Sequence, residues 1–136
     1  MNEPSSKPFD RHLHMQFDGK ARQIVKEHLC QSSLVRVRCN MDPYGVDLVG
    51  DGISVEVEVK HDWEDGVFPF RSLHIPARKA KWAKPNHFFA VLNRPMTMMA
   101  WVKGEDLSIV IEKTTKYTEN EGFFEVPLHR VSFEHI

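Results

Sequence analysis

Cysteine is scarce in this chain: there are two, Cys30 and Cys39, in no CxxC pairing. That excludes a disulfide framework and, with no signal-like apolar segment at the start, gives the expectation of a reduced, cytoplasmic setting. Long hydrophobic runs are missing too. The most apolar stretches, around His87 to Leu92 and Met96 to Val102, have the length of strands and fall well short of the roughly 20 residues of a membrane span. A membrane partner is therefore not expected. Neither sign of charge dominates: 18 Lys+Arg stand against 19 Asp+Glu, for a net charge of −1. No histone-like positive field recruits nucleic acid, so any such contact must come from a local patch. The GxSxG, P-loop, GxGxxG and HExxH patterns are all absent, which removes the commonest serine-hydrolase, NTPase, dinucleotide and zincin readings.

What is present suits one globular core. The 136 residues are 41% hydrophobic and 27% charged, and a chain of this size buries roughly two-thirds of the surface it exposes when unfolded. Residues 1–8 carry Pro4, Ser5, Ser6 and Pro8 and read as a flexible N-terminal tail, so a single domain is expected over residues 9–136. From Gly19, the spacing of Ala21, Ile24, Val25, His28 and Leu29 predicts a first helix. Leu34 to Cys39 alternates as a strand, Asn40 to Gly45 is a turn, and Val46 to Val49 is a second short strand. Asp51-Gly52 is a hairpin signal, and Ile53 to Lys60 alternates Ile53, Val55, Val57 and Val59 against Ser54, Glu56, Glu58 and Lys60.

His61 to Phe70 reads as a loop, in which His61 and Trp63 are more simply loop packing than substrate contacts. Pro76 then opens a short basic second helix through Ala77, Ala80 and Trp82 to Pro85. His87 to Leu92, apolar on both faces, and Met96 to Lys103 are expected to be central strands. Ser108 to Glu112 and Phe123 to Val126 are further strand candidates, and Pro127 to Ile136 is too mixed to assign. The order predicts a mixed central β-sheet flanked by α-helices.

The chemistry-bearing pattern lies on the hairpin. Asp47 sits in the second strand, and Glu58-Val59-Lys60 ends the third, with Glu58 and Lys60 on one face. Two carboxylates brought together repel, and a hard divalent cation resolves that repulsion while polarising a phosphoryl oxygen and acidifying water. A lysine beside them orients or helps deprotonate the attacking water and offsets charge in the transition state. The half-exposed strand Glu-Val-Glu-Val-Lys is equally what charges facing water look like.

At these residues the chain resembles the PD-(D/E)XK, or restriction-endonuclease-like, nuclease superfamily, in which an Asp on one strand is followed by a hairpin and an E-x-K on the next. The helix-strand-strand-strand-helix-strand order resembles it as well, over roughly Gly19 to Val102. The residue before Asp47 is Val46, where the family often has proline. The resemblance implies a restriction-endonuclease-like α/β core binding Mg²⁺ or Mn²⁺ through Asp47, Glu58 and the Val59 backbone carbonyl, with Lys60 assisting the water. It also implies an acidic residue from the first helix, for which Glu27 is the candidate. The implied activity is metal-dependent phosphodiester hydrolysis of nucleic acid, with DNA the expected substrate. Small stand-alone members of the family include junction resolvases and phage or mobile-element nucleases.

In the basic second helix, Arg78 and Lys81 share one side and Lys79 and Lys84 flank it, so Arg78, Lys79 and Lys81 are the candidate phosphate-binding residues. With little chain outside the core, either a homodimer supplies a second surface or DNA structure is read more than sequence. Two rivals stand beside this reading. One is a catalytically silent domain of the same fold that binds nucleic acid or a protein. The other is an assembly subunit that uses the apolar Phe88 to Trp101 region as its interface.

Overall fold

A computed structural model describes residues 11–32, 36–42, 45–109, 112–114 and 122–136. The expected tail at residues 1–8, the first part of the expected strand from Leu34 and part of the expected Ser108 to Glu112 strand lie outside them. The fold is α/β, with a mixed central sheet.

Helix α1 runs over Arg11–Ser32, starting earlier than Gly19, the residue from which its periodicity becomes legible. Ala21, Val25 and Leu29 recur at the spacing of one helical face and are buried. Three strands follow as an antiparallel meander: β1 (Val37–Cys39), β2 (Leu48–Gly50) and β3 (Ile53–Lys60). The β2–β3 turn is the two-residue Asp51-Gly52 connection, with Gly50 opposite Ile53. Gly52 has φ +72°, the left-handed backbone that glycine adopts without steric cost.

After β3 the chain forms a strand that the sequence reading lacks, β4 (Ser72–Pro76). A 3-10 turn over Ala77–Trp82 then stands in place of the expected second helix. Strand β5 (His87–Asn93) returns to the central sheet parallel to β3, and β6 (Met98–Lys103) pairs with it antiparallel. The Ser108 end of an expected strand belongs instead to a 3-10 turn, Gly104–Ile109, whose first turn carries Glu105 and Asp106 where an acidic pair suits a helix start. Short β7 (Glu112–Thr114) and β8 (Gly122–Pro127) follow. The unassigned tail forms a 3-10 turn, Leu128–Arg130, and an edge strand β9 (Ser132–His135).

The six central strands lie in the order β1-β2-β3-β5-β6-β9, and β4-β8-β7 form a second, three-stranded sheet. Alternation sorts the central sheet into two faces. Leu48, Val55, Ala90, Leu92 and Met99 pack under Ala21, Val25 and Leu29 of α1. On the other face, Phe89, Val91, Met98, Ala100 and Val102 pack against Leu73, Ile75, Phe124 and Val126 of the small sheet, with Trp63 and Leu107. The expectation of helices on both faces is thus corrected. Among the described residues one face carries a helix and the other a small sheet, because β4 and β8 alternate apolar residues inward and supply the cover themselves.

Among the described residues, no helix is long and apolar enough to cross a membrane.

Candidate active site

Strand β3 is longer than its neighbour. Pairing with β2 ends at Leu48 and Val55, whereas pairing with β5 continues to Lys60. The register about the Asp51-Gly52 turn puts Asp47, just before β2, opposite Glu56. In place of a ladder bond, Asp47 Oδ2 accepts the Val57 backbone N–H at 2.8 Å. The Asp47 backbone N–H donates to Glu56 Oε2 at 3.2 Å. Two carboxylates therefore meet where the antiparallel ladder gives out.

The parity of β3 settles what else faces this edge. The Ser54 N–H donates toward β5, to the Asn86 carbonyl at 3.1 Å, and the Val57 N–H points the opposite way, to Asp47. Residues alternate, so the Val59 N–H and C=O lie on the same edge as Asp47. On the face of the sheet, Ser54, Glu56, Glu58 and Lys60 project together, on the side of His87 and Phe89.

Electrostatics distinguish the members of this row. Glu56 is 9% exposed, and the Lys79 ammonium donates to its Oε1 at 2.8 Å. Asp47 also has Arg22 of α1 at 3.6 Å from Oδ1. Burial pushes the Asp47 carboxyl up to about 6 from an ordinary value of 3.8. The Glu56 charge and carboxyl contact add to the rise, while the Val57 N–H bond and Arg22 oppose it. Glu58 is exposed. Lys60 lies 3.5 Å from Asp62 Oδ1, with its Nζ 4.8 Å from the Phe70 ring centroid.

The 3-10 turn bearing Lys79 is anchored from below. The Trp82 ring stacks on His87 at 4.7 Å, and His87 Nδ1 shares a hydrogen bond with Ser54 Oγ at 2.7 Å. Burial, with Lys84 and Lys79 nearby, lowers His87 to about 4 against the opposing pull of Glu56, so the ring is neutral at neutral pH. Gly104 lies so close beneath that a Cβ there would overlap the Trp82 carbonyl. On the other side, Asn93, fully buried, accepts from the Thr97 and Met98 N–H groups at 2.8 and 2.9 Å and donates to the Asp65 carbonyl at 2.9 Å. It ties the loop beyond Lys60 to the sheet.

The sequence-derived candidates are distributed as follows. Asp47 is brought against Glu56, and Glu58 stands at the next position of the same face. Lys60 ends the row. Glu27 is on the exposed side of α1, where Gln23 Nε2 donates to it at 3.2 Å, and the α1 residue that reaches Asp47 is Arg22. Lys79 turns inward to Glu56, while Arg78 and Lys81 are exposed. Trp63 is fully buried in the core. The residue that the sequence reading missed is Glu56, whose signal was available: a two-residue turn at Asp51-Gly52 pairs position 50 with 53, and so 47 with 56.

As placed, no three His, Cys, Asp or Glu side chains among the described residues stand close enough to hold a metal ion. The donor types nonetheless suit a hard divalent cation, because the Asp47 and Glu58 carboxylates and the Val59 carbonyl are all oxygen donors. No protein-family model, curated protein or solved structure matches this chain.

Proposed function

We propose that this protein is a metal-dependent phosphodiesterase acting on nucleic acid, with DNA the expected substrate, and that the unpaired half of β3 is its active site. One observation carries the reading: β3 outruns β2, so that Asp47, Glu58, Lys60 and the Val59 carbonyl share one edge and face of the sheet. The order of α1, three meander strands and a parallel strand supports the restriction-endonuclease-like resemblance, while a 3-10 turn stands in place of its second helix and β4 is an addition.

In this reading Asp47, Glu58 and the Val59 carbonyl hold Mg²⁺ or Mn²⁺, which when bound acidifies water and polarises the phosphoryl group. Lys60 orients the attacking water and offsets the charge that develops on phosphorus as the new P–O bond forms and the ester P–O bond breaks. Arg78 and Lys81 bind the phosphate backbone next to the site. Glu56 and Lys79 position Asp47 without touching substrate.

A silent binding domain is favoured by a different observation. Lys79 with Glu56, Lys60 with Asp62 and Arg22 with Asp47 pair most of the charges internally, as a structural network would. The deciding experiment is cleavage of labelled single-stranded, duplex, flapped and four-way-junction DNA, and of RNA, with Mg²⁺, Mn²⁺ or EDTA, by wild type and Lys60→Ala. Cutting that needs the metal and disappears with Lys60 is expected. Binding without cutting in every condition would replace the enzyme by the silent domain.

A further inference from the structure

Among the described residues the large exposed apolar side chains are Met41, Val67, Phe70 and Phe133, and two of them, Phe70 and Phe133, meet at Phe68. Phe68 meets Phe70 edge-on at 5.5 Å and Phe133 at 5.5 Å. The buried Trp63 anchors the group from below, 5.1 Å from Phe68 and 5.9 Å from Phe133. Phe70, 37% exposed, is the member that borders the candidate active site, with the Lys60 ammonium 4.8 Å from its ring centroid.

The geometry points to an aromatic platform for an unpaired nucleobase, which makes the substrate a single strand or a junction with an unpaired nucleotide at the cutting point. This rests on the phosphodiesterase reading only for placing a phosphate at Lys60. A base is joined to its own phosphate through a single sugar, so a phosphate at the Lys60 ammonium sets the attached base beside the Phe70 ring. The fully paired duplex keeps its bases stacked on one another and offers no face to that ring. Stacking on an aromatic side chain is tolerant of base identity and is a principal source of affinity for single strands. The Lys60 ammonium at the ring, which also meets the exposed Asp62 carboxylate at 3.5 Å, supplies a charge complement to the phosphate that an apolar peptide or a second copy of the chain would not require.

The experiment is equilibrium binding in EDTA at low salt, by wild type and Phe70→Ala. The probes are a single-stranded oligonucleotide, the same strand with an abasic position at its centre, and the duplex. Phe70→Tyr serves as the conservative control. Phe70→Ala is expected to weaken the intact single strand by about tenfold or more. The abasic strand binds wild type as weakly as the mutant binds the intact strand, Phe70→Tyr restores affinity, and duplex binding does not change. Equal weakening on the duplex, indifference to the abasic position, absence of single-strand binding, or a dimer in sedimentation that Phe70→Ala dissolves would each overturn the platform. A protein that binds the strand through Phe70 but cuts nothing breaks the phosphodiesterase reading alone. One that cuts but ignores Phe70→Ala breaks this inference alone.

Discussion

The two halves of strand β3 have the same alternating sequence and different surroundings. Ser54 and Val55 are paired on both sides, by β2 and by β5, and Val55 is fully buried beneath α1. Glu56 to Lys60 are paired by β5 alone, and the other edge is met by a side chain, Asp47, instead of a strand. The paired half is held by burial and backbone hydrogen bonds, so a change there is read as stability. The unpaired half assembles charge at a place where the backbone ladder no longer fills the space, so a change there is read as binding or chemistry.

The sharpest way to break this contrast is Lys60→Ala. Cleavage is expected to fall by about two to four orders of magnitude with a melting temperature within a few degrees of wild type, measured by turnover and calorimetry on one preparation. A protein that lost stability and activity together would place Lys60 in the structural half.

Leu48→Ala tests the other side. Leu48 is fully buried opposite Val55, and truncation costs about 2–5 kcal/mol in chemical denaturation. The change should leave Mn²⁺ affinity nearly unaltered at a temperature where the variant is folded. Lys79→Met is intermediate, because it leaves a nearly buried Glu56 carboxylate without its cation. A loss of about 1–3 kcal/mol is expected, largely cancelled in the Glu56→Gln, Lys79→Met double variant. Independent, additive losses would show that the two side chains do not act as a pair.

The pH dependence is the finest test. Asp47 titrates near 6 in the folded protein and near 3.8 when unfolded. Between those values the folded state holds more protons, so this group's contribution makes the metal-free protein less stable as pH rises from about 4 to 6. The penalty is complete above that window. A cation needs the carboxylate, so stabilisation by Mn²⁺ moves the opposite way and grows as pH rises through 6. Thermal unfolding of wild type and Asp47→Asn from pH 4.5 to 7.5, with and without Mn²⁺, should show both slopes in wild type and neither in the variant. The side-chain amide of that variant keeps an acceptor for the Val57 N–H, so the comparison isolates charge.

Much of the central sheet was legible in the sequence, and for identifiable reasons. The alternation of Ile53 to Lys60 and the Asp51-Gly52 turn define β3 to the residue, and the apolar run from His87 marks β5 as a strand covered on both faces. Strand β4 was hidden because Pro76 followed by Ala77, Arg78 and Lys79 carries a helix-start signal. Its proline is tolerated because β4 is an edge strand of its sheet. The small sheet as a whole depends on contacts between Leu73 and Val126 and between Ile75 and Phe124, pairings that no local pattern encodes.

In the candidate site, Asp47, Glu58 and Lys60 stand out by residue type and spacing. The burial of Glu56 does not, because alternation assigns it to the same water-facing row as Glu58. Its cover comes from Lys79, on a turn that returns to β3 only in three dimensions. The same distance effect separates Lys79 from its neighbours: Arg78 and Lys81 face solvent, and the lysine between them faces the carboxylate.

Whether the half of β3 that β2 leaves unpaired is a cation site is decided by Mn²⁺ titration followed by electron paramagnetic resonance at pH 7.5. The proteins to compare are wild type, Asp47→Ala, Glu58→Ala and Lys60→Ala. Saturable Mn²⁺ binding is expected, lost in both carboxylate variants and retained in Lys60→Ala. Binding that is absent from folded wild type, or that survives unchanged in Asp47→Ala and Glu58→Ala, would contradict the cation site.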